Sequence, residues 1–113
     1  MSALLDTANL DTMLDLLGED FRAIVRQYAA QLDSELRSME QARQQQDWAL
    51  LRRLAHMLKG SSGNVGAAAL AGQAALLECA AQHADAQAAD AALAALAPLV
   101  AQTRSALLEA GYV

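Results

Sequence analysis

The sequence predicts an all-α protein built as a bundle of helices. Three observations carry that prediction. Hydrophobic residues make up 55% of the 113-residue chain but aromatics only 4%, so the core must be assembled mainly from Leu, Ala, Val and Met. Six glycines and a single proline, Pro98, supply too little turn chemistry for an all-β fold. Apolar residues recur at steps of three and four along most of the chain, the period of helices that bury one face. The length suits one compact domain and hardly two, so residues 1–113 are expected to form a single domain.

About five helices are expected. Asp11 is the expected N-cap of the first, which carries Met13, Leu14 and Leu17 and stops at Gly18, a natural residue just past a helix end. The second begins at Glu19 and Asp20, acids that suit a helix N-terminus. Its apolar residues Phe21, Val25, Tyr28, Leu32, Leu36 and Met39 mark one long amphipathic helix that ends near Gln45. Asp47 caps a third, with Leu50, Leu54, Met57, Leu58 and Val65 as its apolar stripe and Gly66 as the break. A fourth runs from about Ala67 to Ala81 with Leu70, Ala74 and Leu77 inward, and His83 to Gln87 is a loop. The fifth buries Leu93, Leu96, Val100, Thr103 and Leu107, with Pro98 inside it as an expected kink. The Ala-rich stretch from Ala67 to Ala97 reads as packed helix, because Ala is the best helix former.

Charge and composition exclude several functions. A net charge of −5 disfavours nucleic acid, whose phosphates need a basic partner. No apolar run is expected to reach the ~18 residues that span a bilayer. The start, MSALLDTANLD, does not read as a signal peptide. Cys79 is the sole cysteine, so no internal disulfide forms and a cytoplasmic setting is expected.

The informative segment is Ala55-His56-Met57-Leu58-Lys59-Gly60-Ser61-Ser62-Gly63-Asn64-Val65-Gly66. On a helical wheel with Leu50 at zero, the apolar stripe falls between roughly −20° and roughly +80°, and Ser61 at about 20°. His56 falls at about 240° and Lys59 at about 180° on the same wheel. Arg52 falls at about 200°, Gly63 at about 220° and Gly60 at about 280°. His56 therefore points away from the core, beside two cations and two glycines. Each glycine costs the helix ~1 kcal/mol relative to alanine, which makes sense if something must approach the backbone beside His56.

Phosphoryl transfer to an imidazole nitrogen fits this surface. Neutral imidazole, with an ordinary pKa of about 6.5, is a good nucleophile near pH 7. The transferred group is anionic, and Lys59, the one lysine of the chain, sits at i+3 within reach of it. No GxxxxGK[ST] or GxGxxG loop is present to hold ATP.

His56-Met57-Leu58-Lys59-Gly60-Ser61-Ser62, followed by Gly66-Ala67 and Leu70, resembles the signature of histidine-containing phosphotransfer (HPt) domains. The long second helix, Asp47-Trp48 before the motif and Leu77-Glu78 after it extend the resemblance over nearly the whole chain. It implies an antiparallel four-helix bundle with a short additional N-terminal helix. It implies His56 as the phosphorylated residue, Lys59 as the phosphate-stabilising cation, Gly60 as the close-approach position and Glu78 as a hydrogen-bond partner of the histidine. The implied partners are receiver domains of a hybrid sensor kinase and of a response regulator, acting on a monomer that needs no cofactor. Mg²⁺ belongs to the receiver. The chain departs from some relatives at Gln82, where they carry a further basic residue, which leaves Lys59, with Arg52 or Arg53, to stabilise charge.

Each residue also has a plainer reading. A helical His is usually a solvated surface residue, Glu78 a surface acid, and Arg52 and Arg53 solubilising charges. Cys79 is most simply a small buried hydrophobe. His56, His83 and Cys79 lack metal-ligand spacing. Ser61 and Ser62 have no nucleophile elbow around them, and Ser61 falls on the packing side. Rival functions are an interaction module whose groove binds an amphipathic helix, which would tolerate His56→Ala, a phosphate-accepting domain cut from a larger kinase, and a homologue that binds a receiver without accepting phosphate. Met1 and the complete bundle favour a free-standing protein.

Overall fold

Three aspartates start helices by accepting a backbone N–H from three residues on: Asp6 from Asn9 at 3.1 Å, Asp47 from Leu50 at 3.1 Å and Asp85 from Ala88 at 3.0 Å. They open α1 (Thr7–Leu17), α3 (Trp48–Asn64) and α5 (Ala86–Glu109), while α2 (Glu19–Gln44) and α4 (Ala68–Gln82) start without a side-chain cap. The structure, a computed structural model, describes residues 4–113, so Met1 lies outside the described residues. Asp11 is not the first cap. The helix begins a turn earlier because Asp6 caps it and Leu10, fully buried, anchors it, and the Asp11 carboxylate instead accepts a hydrogen bond from the Tyr112 hydroxyl.

Four helices end in one way. Gln46, Gly66, Ala84 and Gly111 adopt left-handed backbone with φ of 57°, 75°, 50° and 80°. The next N–H then reaches back five residues, from Asp47 to Ala42 at 2.9 Å, Ala67 to Ser62 at 2.8 Å, Asp85 to Ala80 at 2.9 Å and Tyr112 to Leu107 at 2.9 Å. Two of these residues are not glycine, so sequence alone marks those turns poorly. The turn after α4 is shorter than the loop expected at His83 to Gln87, because Asp85 caps α5 and draws Ala86 and Gln87 into it.

The helices α2, α3, α4 and α5 each pack against two others in a closed ring, with α1 against α2. The fold is thus an all-α four-helix bundle with a short additional N-terminal helix. Phe21, Val25, Leu32 and Met39 of α2 meet Leu51 and Leu58 of α3, Leu70 and Leu77 of α4, and Leu96, Val100 and Leu107 of α5 in one core. Two arginine forks tie α2 to α5, Arg43 on Asp90 at 2.7 and 3.1 Å and Arg104 on Asp33 at 2.6 and 3.0 Å. Exposed pairs contribute about 0–1 kcal/mol each, so apolar burial does most of the holding. Although polar residues interrupt its apolar runs, the 24-residue α5 is long and apolar enough to cross a membrane. Its Ala content raises its average hydropathy, and Ala89, Leu93, Leu96, Val100, Thr103 and Leu107 are buried in the bundle.

The core stripe of α3 is turned by roughly 80° from the expected one. Leu51, Ala55, Leu58 and Ser62 are buried, Leu50 and Leu54 are half-buried, and Met57 is 61% exposed. Small residues at 55 and 62 let α3 sit close to its neighbours, and counting large apolar side chains misses them. Ser61 accordingly does not pack inward: it is half-buried and its hydroxyl donates to the Leu58 carbonyl at 3.2 Å. Ser62 is the buried one. Leu17 and Cys79 also differ from expectation in being exposed, because Leu77, Ala80 and Ala81 take the inner face of α4 and Leu10 that of α1.

Candidate functional site

His56 lies near the middle of α3, and the inward pull of Leu51, Ala55, Leu58 and Ser62 leaves its ring on the outside, 65% exposed. Gly60 and Gly63, at i+4 and i+7, share its face. Both are exposed, and a Cβ at either would meet nothing within 4 Å. Neither is required for packing within the bundle. Gly66 is different: it needs its left-handed φ of +75°, and a Cβ there would meet Asp6 O and Leu10 Cγ at 3.1 Å.

Glu78 comes from α4, next to the buried Leu77, on a helix packed against α3. Its two carboxylate oxygens are divided between two residues of α3. Oε2 lies 2.8 Å from His56 Nδ1, and Oε1 accepts from Lys59 Nζ at 2.6 Å. The hydrogen bond from Lys59, and then that from His56, hold the Glu78 carboxyl below the usual carboxylate range against the opposing effect of burial. An ionised carboxylate only accepts, so Nδ1 must be the protonated nitrogen. In the neutral ring this leaves the lone pair on Nε2.

Arg52 and Arg53 border a depression of about 320 Å³ beside His56, together with Ala49 and Glu78. The structure therefore gathers His56, Lys59 and Glu78 into direct contact, sets both arginines around the same hollow, and leaves Gly60 and Gly63 as bare backbone on the same face. The arrangement offers an exposed nucleophilic nitrogen with a fixed tautomer and cations positioned for an incoming anion. A larger groove of about 510 Å³ between α4 and α5 is lined by alanines of both helices together with Leu76, Cys79, His83 and other residues. His83 Nδ1 donates to the Cys79 carbonyl at 2.9 Å, far from any third ligand, and among the described residues no group of three His, Cys, Asp or Glu side chains is placed to hold a metal.

Sequence reasoning missed two features. Tyr28 of α2 reaches the buried Ser62 hydroxyl at 2.7 Å and ties α2 to α3. Met57, assigned to the core, is an exposed apolar side chain one residue from His56. Centring the wheel on Leu51, Ala55 and Leu58 would have found it.

Comparison with known proteins gives a consistent picture. The sequence model of the Hpt domain family matches residues 23–107. No curated protein matches. The crystal structure of histidine-containing phosphotransfer protein B (HptB) from Pseudomonas aeruginosa PAO1 superposes with a TM-score of 0.90 at 28% identity, over 96% of this chain and 95% of that one.

Proposed function

Because the chain belongs to the Hpt domain family and is a phosphotransfer intermediate of a phosphorelay, we propose that it carries the phosphoryl group on His56 Nε2. The observation that supports this most is the Glu78 contact: with Nδ1 donating to the carboxylate at 2.8 Å, Nε2 keeps the lone pair on a side chain that is 65% exposed. The Nε2 lone pair attacks phosphorus, the P–O bond to a receiver aspartate breaks, and the aspartate leaves as a carboxylate. The reverse step delivers the group to a second receiver. Lys59 and Arg52 offset the charge of the moving group, and the open glycine face admits the receiver's loops. Proton handling is confined to Nδ1, which keeps its hydrogen throughout.

Family membership implies receiver domains as partners. The donor is the receiver of a hybrid sensor kinase and the acceptor that of a response regulator, and the chain acts as a cytoplasmic monomer. It needs no cofactor of its own, since the Mg²⁺ that assists at the aspartate belongs to the receiver. It is a phosphocarrier without ATP-dependent kinase activity. Incubation with a radiolabelled phospho-receiver tests this reading: the chain gains label, passes it to a fresh receiver, and gains none from ATP alone. Label from ATP, or no label from any phospho-receiver, contradicts it.

A further inference from the structure

We propose that Glu78 sets how tightly this carrier holds its phosphoryl group, by competing with that group for Lys59. The inference rests on His56 being the phosphorylated residue. In the resting protein Lys59 is already engaged, its ammonium 2.6 Å from Glu78 Oε1, while the other oxygen holds His56 Nδ1 at 2.8 Å. A phosphoryl group on Nε2 must draw Lys59 from an existing counter-charge, and it does so beside a second anion. Glu78 is only 17% exposed on its side chain, so water screens its charge less than that of an ordinary surface acid.

The surroundings leave Glu78 in sole opposition. Arg52 and Arg53 on α3 line the hollow beside the ring, Glu78 is the acid that α4 places there, and among the described residues none of α2 or α5 lines it. Lys59, Arg52 and Arg53 favour an arriving phosphoryl group. Glu78 opposes it by its own charge and its hold on Lys59, a cost that outweighs the support its other oxygen gives to the Nδ1 hydrogen of the phosphorylated ring. A positioning residue of this kind keeps the group from settling on the carrier, so that it moves on. Glutamine at the same position would still accept the Nδ1 hydrogen but would carry no charge and would release Lys59.

The test uses the whole chain and a small donor. In phosphoramidate the P–N bond breaks, ammonia leaves with the electron pair, and the Nε2 lone pair forms the new N–P bond; excess ammonium drives the reverse. The phosphorylated fraction of His56 is read by ³¹P NMR at a series of phosphoramidate-to-ammonium ratios. Glu78→Gln is expected to shift that equilibrium toward the phosphorylated form by about threefold or more, since an exposed charge pair sets the lower bound for this less exposed one. The same substitution in a Lys59→Met background is expected to shift it less. Thermal melts check folding, and Glu78→Ala, which also removes the charge, must shift the equilibrium in the same direction. Equal phosphorylated fractions in wild type and both Glu78 variants, or an undiminished effect without Lys59, overturn the competition alone. Absence of a phosphohistidine signal from His56 in the wild type overturns the His56 reading and this inference with it.

Discussion

The hydroxyls of Tyr28 and Ser62 meet at 2.7 Å inside the bundle, joining α2 to α3 six residues beyond His56. Burial pushes the Tyr28 phenol up to about 12, with the Ser62 hydrogen bond working against that rise. This polar contact faces inward on the α3 surface that sends His56 outward, so it helps set the rotation of the whole site.

Tyr28→Phe should therefore destabilise the fold by about 1 kcal/mol or more, since it strands a buried hydroxyl. Adding Ser62→Ala should recover much of the loss, because removing both partners is far cheaper than removing one. Urea denaturation of the two single variants and the double variant measures the coupling, and additive losses would show that the contact holds nothing.

Stability should fall at both ends of the pH scale. Glu78 is held below its ordinary value of 4.5 in the folded chain, so its contribution is present above that pH and is lost as pH drops through the lower folded value. Tyr28 is raised from 10.0 to about 12, so its contribution is complete below pH 10 and is lost as pH rises toward about 12. Denaturant midpoints across pH check both limbs. Glu78→Gln should flatten part of the acid limb, and Tyr28→Phe part of the alkaline one.

Lys59→Ala should slow phosphotransfer by about tenfold to a hundredfold, below the roughly hundredfold to thousandfold effect of removing one donor from a water-excluded site, since this site is open to water. The Lys59 side chain is 40% exposed, so stability should change by no more than about 1 kcal/mol. Rapid-quench transfer rates beside thermal melts separate the two effects, and a wild-type rate would make Lys59 a mere surface charge.

Gly60→Gln should split stability from function. The open space around Gly60 removes any packing reason for glycine, and glutamine is the better helix former by about 0.5–1 kcal/mol. The variant should melt at or above the wild-type temperature yet accept phosphate more slowly, because the side chain stands where receiver loops approach. A lower melting temperature with unchanged transfer would place the role of Gly60 in the bundle.

The helical class, the five segments and the outward His56 were legible because they depend on periodicity, which survives an error in phase. The α3 stripe shows the limit. Counting large apolar residues drew in Met57 and passed over Ala55 and Ser62, whose smallness is what lets helices approach. His56 stands well away from either stripe, so its exposure was insensitive to the error, whereas Ser61 and Ser62 exchanged places. Asp11 looked like a cap because an acid before an apolar run is the signal, but Asp6 fits the same signal one turn earlier. The left-handed Gln46 and Ala84 gave no glycine to read. The Lys59–Glu78 contact joins residues 19 apart in sequence on two helices, and local patterns do not encode how such helices dock.

Transfer from a radiolabelled phospho-receiver to wild type and to His56→Gln, with the linkage tested in acid and base, probes the assignment of the phosphoryl group to His56 most directly. Wild type should take up label that is lost in acid and retained in base, as an N–P bond requires, and His56→Gln should take up none while remaining folded. Label that persists in His56→Gln, or that resists acid, would contradict it.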